Sequence, residues 1–175
     1  MYAEGLENDV TIQIGLTYND MGTSLYEKGR FHEALTILNE ALNFMPMDSG
    51  IHLNRGDTYR ELKRYNLALS DYHYALDLGG SESLIKSRLS LTHYALGTQC
   101  FNQQDYEGAN IEFTRAIDFF DRNAEYFVNR ARACMQLQLM ENAFSDLKKT
   151  LELSPSHELA SSMLMGFNCD KKLQF

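Results

Sequence analysis

Proline is scarce in this chain, occurring twice in 175 residues. No tract is rich in Ser, Pro, Gly or one sign of charge, so neither a linker nor a disordered tail is indicated. Cysteine is also sparse. Cys100, Cys134 and Cys169 are an odd set with no CxxC spacing, which excludes a disulfide framework or a zinc module and suits a reducing compartment. No long apolar run exists, and the N-terminus MYAEGLENDV has neither the basic stretch nor the apolar run of a secretory signal. A soluble, cytoplasmic protein away from membranes is expected.

Positive charge is in short supply, with Lys+Arg 16 against Asp+Glu 24 and a formal net charge of -8. A nucleic-acid backbone would be repelled on average, and Lys171-Lys172 is too short to form a basic patch. Catalytic constellations are missing as well. There is no HExxH and no Cys–His spacing for zinc, and Gly79-Gly80 stand outside any phosphate-loop context. The pairs Asp20/Glu27 and Asp57/Glu61 have no partners arranged for acid–base work. No catalytic residue, metal site, cofactor or small-molecule substrate is therefore expected.

What the chain does have is a period. Gly22 and Gly56, Ala34 and Ala68, Ala41 and Ala75, and Ala109 and Ala143 all repeat at an interval of 34, while Gly56 to Gly97 is 41. The first unit places Tyr18, Met21, Gly22, Leu25, Ala34, Leu38, Ala41 and Pro46 where the second has His52, Arg55, Gly56, Tyr59, Ala68, Tyr72, Ala75 and Gly80. The third has His93, Leu96, Gly97, Cys100, Ala109, Phe113, Ala116 and Asp121, and the fourth Phe127, Arg130, Ala131, Cys134, Ala143, Leu147, Thr150 and Pro155. Small residues belong where two backbones approach and large apolar ones where a gap is filled. Within each unit, apolar residues such as Tyr18-Met21-Leu25 and Leu35-Leu38-Leu42 recur at helical spacing, giving two amphipathic helices. Gly29 ends the first helix, and Asp48-Ser49 and Ser81 offer N-caps to those that follow.

This pattern, W-x2-L-G-x2-Y…A-x3-F…P in outline, resembles the tetratricopeptide repeat. The resemblance implies an all-α fold, a right-handed superhelical solenoid of four helix hairpins plus a C-terminal capping helix. The whole of 1–175 reads as one domain, with repeats at about 15–48, 49–82, 90–123 and 124–157 and a cap at about 157–167 with a polar outer face. The extra residues near Gly79-Gly80-Ser81 are nearly two helical turns and prolong the first helix of the third unit to roughly 82–103. His52 and His93 share one repeat position, as do Cys100 and Cys134, so all four read as packing residues.

In such a solenoid the first helices line the concave side. The partner-binding groove is expected from Leu16, Asn19, Asp20, Thr23 and Tyr26 of the first unit, and Leu53, Asn54, Asp57 and Arg60 of the second. Tyr94, Thr98 and Phe101 of the third, with Val128, Asn129, Arg132 and Met135 of the fourth, complete it. Leu91 and Ala95 fall on the same face. The amides offer both donor and acceptor to an extended backbone, and the aromatics and Met135 offer apolar anchors. A competing use of this face is self-capping, with residues 1–14 folded into the groove.

Chaperone-binding relatives in this family grip a C-terminal carboxylate with a two-carboxylate clamp of Lys, Asn and Arg. The matching places here hold Asn19, Thr23, Asn54, Leu91 and Ala95, so only Asn54 fits and the clamp is absent. Leu16-Thr17-Tyr18-Asn19-Asp20, Asn54-Arg55-Gly56-Asp57 and Leu159-Ala160-Ser161-Ser162-Met163-Leu164-Met165 are similar to the C-terminal repeat block of a cilium-associated branch of the family. Those relatives carry further repeats upstream, whereas here Met1 stands shortly before the first unit opens at Gly15, as in a short paralogue, a lineage-specific form or a fragment. The resemblance implies a non-enzymatic scaffold for other proteins, axonemal or cytoskeletal, in the motile cilium or flagellum. The alternative is a cytosolic peptide-binding adaptor for chaperones or trafficking.

Overall fold

The structure is a computed structural model that describes the backbone of residues 2–172 and the side chains of residues 9–166. Among the described residues the fold is all-helical. Its elements are α1 (Tyr2–Glu27), α2 (Phe31–Phe44), α3 (Ser49–Glu61), α4 (Tyr65–Asp77), α5 (Glu82–Asn102), α6 (Tyr106–Phe119), α7 (Ala124–Gln136), α8 (Met140–Leu153) and α9 (Glu158–Lys172). The helices gather into two compact units, Met1–Leu89 and Ser90–Phe175, and α5 belongs to both.

The hairpins form because each pair has one tight point of approach. A Cβ added to Gly22 would lie 2.7 Å from Leu38 Cγ, one added to Gly56 2.6 Å from Tyr72 Cε1, and one added to Gly97 2.8 Å from Phe113 Cδ1. The small residue and its large partner keep one spacing in all three hairpins. Around these points the second helices bury regular stripes, such as Ala34, Leu35, Leu38, Ala41 and Leu42 on α2. Ile51 of α3 closes over Leu38, Ala41 and Leu42. In the other unit, Val128, Ala131 and Cys134 of α7 meet Ala143 and Leu147 of α8 and Ala160 of α9.

Each first helix stops in the same way. Arg30 N–H donates to the carbonyl of Leu25 at 2.9 Å and Gly29 N–H to that of Tyr26 at 2.9 Å, the pair of bonds that defines a Schellman turn. The same pair recurs at Arg64 and Lys63, at Asp105 and Gln104, and at Leu139 and Gln138. The left-handed residue is Gly29 (φ 73°) in the first turn but Lys63 (57°), Gln104 (64°) and Gln138 (60°) in the others. As expected, Asp48 caps α3 by accepting from Ile51 N–H at 2.9 Å; Asp105 and Asn123 cap α6 and α7.

The longer first helix foreseen in the third unit is α5. Residues 2–14 prolong α1 as helix, so the competing self-capped arrangement is not the one adopted; Thr17 Oγ1 donates to Gln13 O at 2.8 Å. One expectation needs correction. The capping helix α9 does not present a purely polar outer face, because Leu159 and Met165 are exposed. Cys169 and the Lys171-Lys172 side chains lie outside the described residues.

Replacing Gly56 by Val should cost about 1–3 kcal/mol in urea denaturation, the usual overpacking penalty, because Tyr72 has no room to retreat. Gln138→Gly should move stability the other way by up to about 1 kcal/mol, since a left-handed non-glycine residue carries roughly 1–2 kcal/mol of strain. Equal effects of one sign would contradict the geometry.

Candidate functional site

Within Met1–Leu89, α1 and α3 are joined by half-buried side chains. Asn54 Nδ2 donates to Asn19 Oδ1 at 2.8 Å. Thr23 Oγ1 turns inward to the Asn19 and Asp20 carbonyls, 3.0 Å from each. Tyr26 packs edge-on against Phe31, and its hydroxyl stands 3.5 Å from Glu61 Oε1. Burial pushes the Tyr26 phenol up, and the charges of Glu61 and Asp57 add to that, so it stays protonated and available as a donor. Leu16 and Asp20 are exposed and Leu53 is half-buried.

Asp57 is engaged inside the unit. Tyr72 Oη donates to its Oδ1 at 2.8 Å, Arg88 Nε to its Oδ2 at 3.0 Å, and Arg60 Nη2 lies 3.9 Å away. With Thr23, Tyr26, Leu38 and Asn54 it lines a cleft of about 30 Å³, space for about one water.

Within Ser90–Phe175 the bridge is repeated with a different donor–acceptor pair. Asn129 Nδ2 donates to Tyr94 Oη at 3.1 Å, and Arg132 Nη1 donates to Asn129 Oδ1 at 2.9 Å. The Arg132 guanidinium sits over the Phe101 ring, 4.7 Å from its centroid, and Phe101 meets Tyr106 edge-on. Tyr94 packs on Tyr126 and Phe113, with centroids at 4.9 and 5.7 Å. Burial raises the Tyr94 phenol, with Glu125 contributing, so it too remains protonated. Thr98 bonds the Tyr94 carbonyl at 2.9 Å. The bridges Asn19–Asn54 and Tyr94–Asn129 have the same sequence separation, one repeat plus one.

Not every expected groove residue lies on this floor. Val128 is 1% exposed and sits in the core among Ala131, Ala143 and Leu147. Its place on the groove is corrected for that reason: α8 and α9 both close over its side of α7. Met135 is half-buried against the same cluster.

A second constellation was not foreseen. On α4, α6 and α8 a buried carboxylate is held by basic side chains of the preceding helix. Arg55 grips Asp71 with two bonds (Nε to Oδ2 2.8 Å, Nη2 to Oδ1 2.7 Å), and His52 Nδ1 lies 3.1 Å from the same carboxylate. Arg130 grips Asp146 with the same two distances. His93 Nδ1 is 2.7 Å from Glu112. His52 and His93 are buried packing residues as expected, each with a carboxylate beside it. The legible signal was an Arg and an Asp recurring at one spacing, Arg55 to Asp71 and Arg130 to Asp146. Beside Arg130, a polar cleft of about 290 Å³ opens where Cys134 replaces the ring of Tyr59, which in the second repeat lies against Arg55.

These features accord with known proteins. Residues 19–83 match one family model described as a tetratricopeptide repeat, and residues 124–157 match another. Tetratricopeptide repeat protein 16 of Homo sapiens is 29% identical over 152 residues, 87% of this chain but 17% of the relative. The chain thus spans only a small part of that relative's length. BBSome complex member BBS4 of Bos taurus is 28% identical over 134 residues, 77% of this chain and 24% of the relative. Among solved structures, the MamA protein superposes with a TM-score of 0.60 at 20% identity, covering 85% of this chain and 77% of that one, which shows the fold.

Removing one partner of a buried ion pair strands the other, so Asp146→Ala should lose about 3 kcal/mol or more. The double change Arg130→Met with Asp146→Leu should recover most of it. A double-mutant cycle with no coupling would refute the clamp. Burial also pushes the Cys134 thiol up. At about pH 8 iodoacetamide should therefore label Cys134 in the native protein far more slowly than in urea, and equal rates would contradict its burial.

Proposed function

The chain belongs to the tetratricopeptide-repeat family, and from that premise we propose that its four repeats act as one non-catalytic binding domain for segments of other proteins. The first-helix faces carry the binding. The supporting observation is the bridged floor: Asn19–Asn54 in one unit and Tyr94–Asn129–Arg132 in the other hold amides and a guanidinium in fixed orientations beside exposed or half-buried Leu16, Tyr26 and Phe101. Fixed polar groups lose little side-chain entropy on binding, which favours an extended backbone or a partner helix laid across them. A free C-terminal carboxylate finds no pair of cations at the clamp positions, so terminal-peptide recognition is not the mode.

The setting is the motile cilium, as a structural component of the axoneme. Similarity to tetratricopeptide repeat protein 16 over most of the chain and to a BBSome member supports this reading. Among the described residues no helix is long and apolar enough to cross a membrane. The net charge of -8 argues against direct contact with acidic tails and for contact through other proteins.

A photo-crosslinking residue placed at Asp20 or Arg132 should capture axonemal proteins from an extract of ciliated cells. Leu16→Asp should reduce capture at Asp20, and Asn129→Ala capture at Arg132, each by about tenfold, the effect of losing one good contact. Recovery of soluble chaperones alone would overturn the ciliary reading and favour a cytosolic adaptor. Capture indifferent to both substitutions would overturn the floor itself.

A further inference from the structure

The polar cleft beside Arg130 takes its walls from three successive helices: Asn110 and Thr114 of α6, Arg130 and Cys134 of α7, and Asn142 and Asp146 of α8. At about 290 Å³ it sits at the small end of ligand pockets, which run upward from about 300 Å³, so it has room for a single ring.

The second repeat shows what fills this place. Arg55, Tyr59 and Asp71 stand there where Arg130, Cys134 and Asp146 stand in the fourth, with the same ionic clamp. The Arg55 guanidinium lies over the Tyr59 ring, 5.8 Å from its centroid. Asn110 and Asn142 likewise replace Leu35 and Leu67 of the second repeat. The opening therefore comes from small and polar side chains on helices internal to the chain, in a place that the same chain elsewhere fills with its own tyrosine.

The chemistry left on offer is specific. Each nitrogen of the Arg130 guanidinium is engaged, Nε and Nη2 with Asp146 and Nη1 with Thr114 Oγ1 at 3.2 Å. Phe127 lies under it at 5.7 Å, one turn before Arg130, whereas Cys134 stands one turn after, on the other side. With its edges occupied, the guanidinium presents a face, which attracts an aromatic ring. The ion pair is neutral as a whole, so a charged ligand gains little to offset its desolvation. At the bottom of the cleft Cys134 Sγ donates to Asn110 Oδ1 at 3.4 Å, and the Asn110 amide nitrogen is a donor that a hydroxyl oxygen can meet.

We infer that the cleft between α6 and α8 receives a tyrosine side chain of a partner protein, its ring on the Arg130 face and its hydroxyl at Asn110. Tyr59 reaches the equivalent place from the first helix of its hairpin. An incoming tyrosine enters from outside with its hydroxyl leading, and Asn142 and Ser145, both exposed, meet its backbone at the rim. The site uses no residue of the first-helix floor.

The test is a titration of the full ¹⁵N-labelled chain with a blocked five-residue peptide, tyrosine at its centre and Gly and Ser around it. The Asn110 side-chain amide and Arg130 Nε resonances should shift with a dissociation constant of about 1 mM, the scale of one side chain in a pocket. Phenylalanine in place of the tyrosine should weaken binding about fivefold, the loss of one hydrogen bond. Asn110→Leu, which restores the residue of the second repeat, should abolish that difference. Cys134→Tyr supplies the ring from within and should abolish binding with circular dichroism unchanged; Asn110→Leu still tests the site where the larger substitution does not fold. Absence of shifts at these resonances at about 10 mM peptide would overturn the proposal. So would equal binding of the tyrosine and phenylalanine peptides, or shifts that survive in folded Cys134→Tyr. Binding of p-cresol as tight as that of the peptide would give the cleft to a free small molecule and overturn its assignment to a protein segment.

Discussion

The close approach of two helix backbones at a glycine is the constraint on which the rest of this molecule depends. With no Cβ at Gly22, Gly56 and Gly97, the side chains of Leu38, Tyr72 and Phe113 come to rest on the neighbouring helix itself. In the last hairpin Ala131 and Leu147 stand at the same spacing, both fully buried in one cluster. That contact fixes how far apart the helices of a pair lie and which way each is rotated, because a large side chain seated in a one-residue notch leaves little freedom to slide. Rotation is what matters for function. Once the notch faces the second helix, positions three before it, as at Asn19, or two before it, as at Asn54, face outward and toward each other on adjacent first helices.

Buried carboxylates add a second lock at a different cost. Asp71, Glu112 and Asp146 are desolvated, and each is matched by a basic side chain from the first helix of its hairpin. An ion pair of this kind contributes little net stability over an apolar pair, because desolvation offsets attraction. Its effect is on register. A bidentate Arg–Asp contact tolerates no shift of one residue, whereas Ala and Leu would pack nearly as well after a slip. The glycine notch thus sets distance, and the ionic clamp sets phase.

Much of this was legible because the repeat reports it several times over. The small residues at Gly22, Gly56, Gly97 and Ala131, each followed at one constant spacing by a large one, identify the hairpins without any single residue being decisive. The lengthening of α5 was readable from the interval of 41 between Gly56 and Gly97. Val128 was misplaced because counting along an ideal repeat takes no account of α8 and α9, which together cover its side of α7. The upstream part of α1 was missed because Glu4-Gly5 and Asn8-Asp9 include weak helix formers and no second copy of that segment exists for comparison. Arg88 could not be paired with Asp57 by sequence, since it lies beyond the ordinary repeat, in the added turns of α5.

The floor's polar groups bear on what kind of segment the proposed site would take. Asn54 spends one amide hydrogen on Asn19, and Asn129 spends its amide on Tyr94 and the Glu125 carbonyl. A bound segment gains less from these groups than a count of amides suggests, because each new bond competes with one already made. It gains more from surfaces that cost little to cover: the Tyr26 and Phe101 rings and the face of Arg132 stacked on Phe101. Raised phenols at Tyr26 and Tyr94 keep two hydroxyl donors on the floor across the physiological pH range. Such a surface discriminates by shape and by where a partner places its carbonyls, not by net charge.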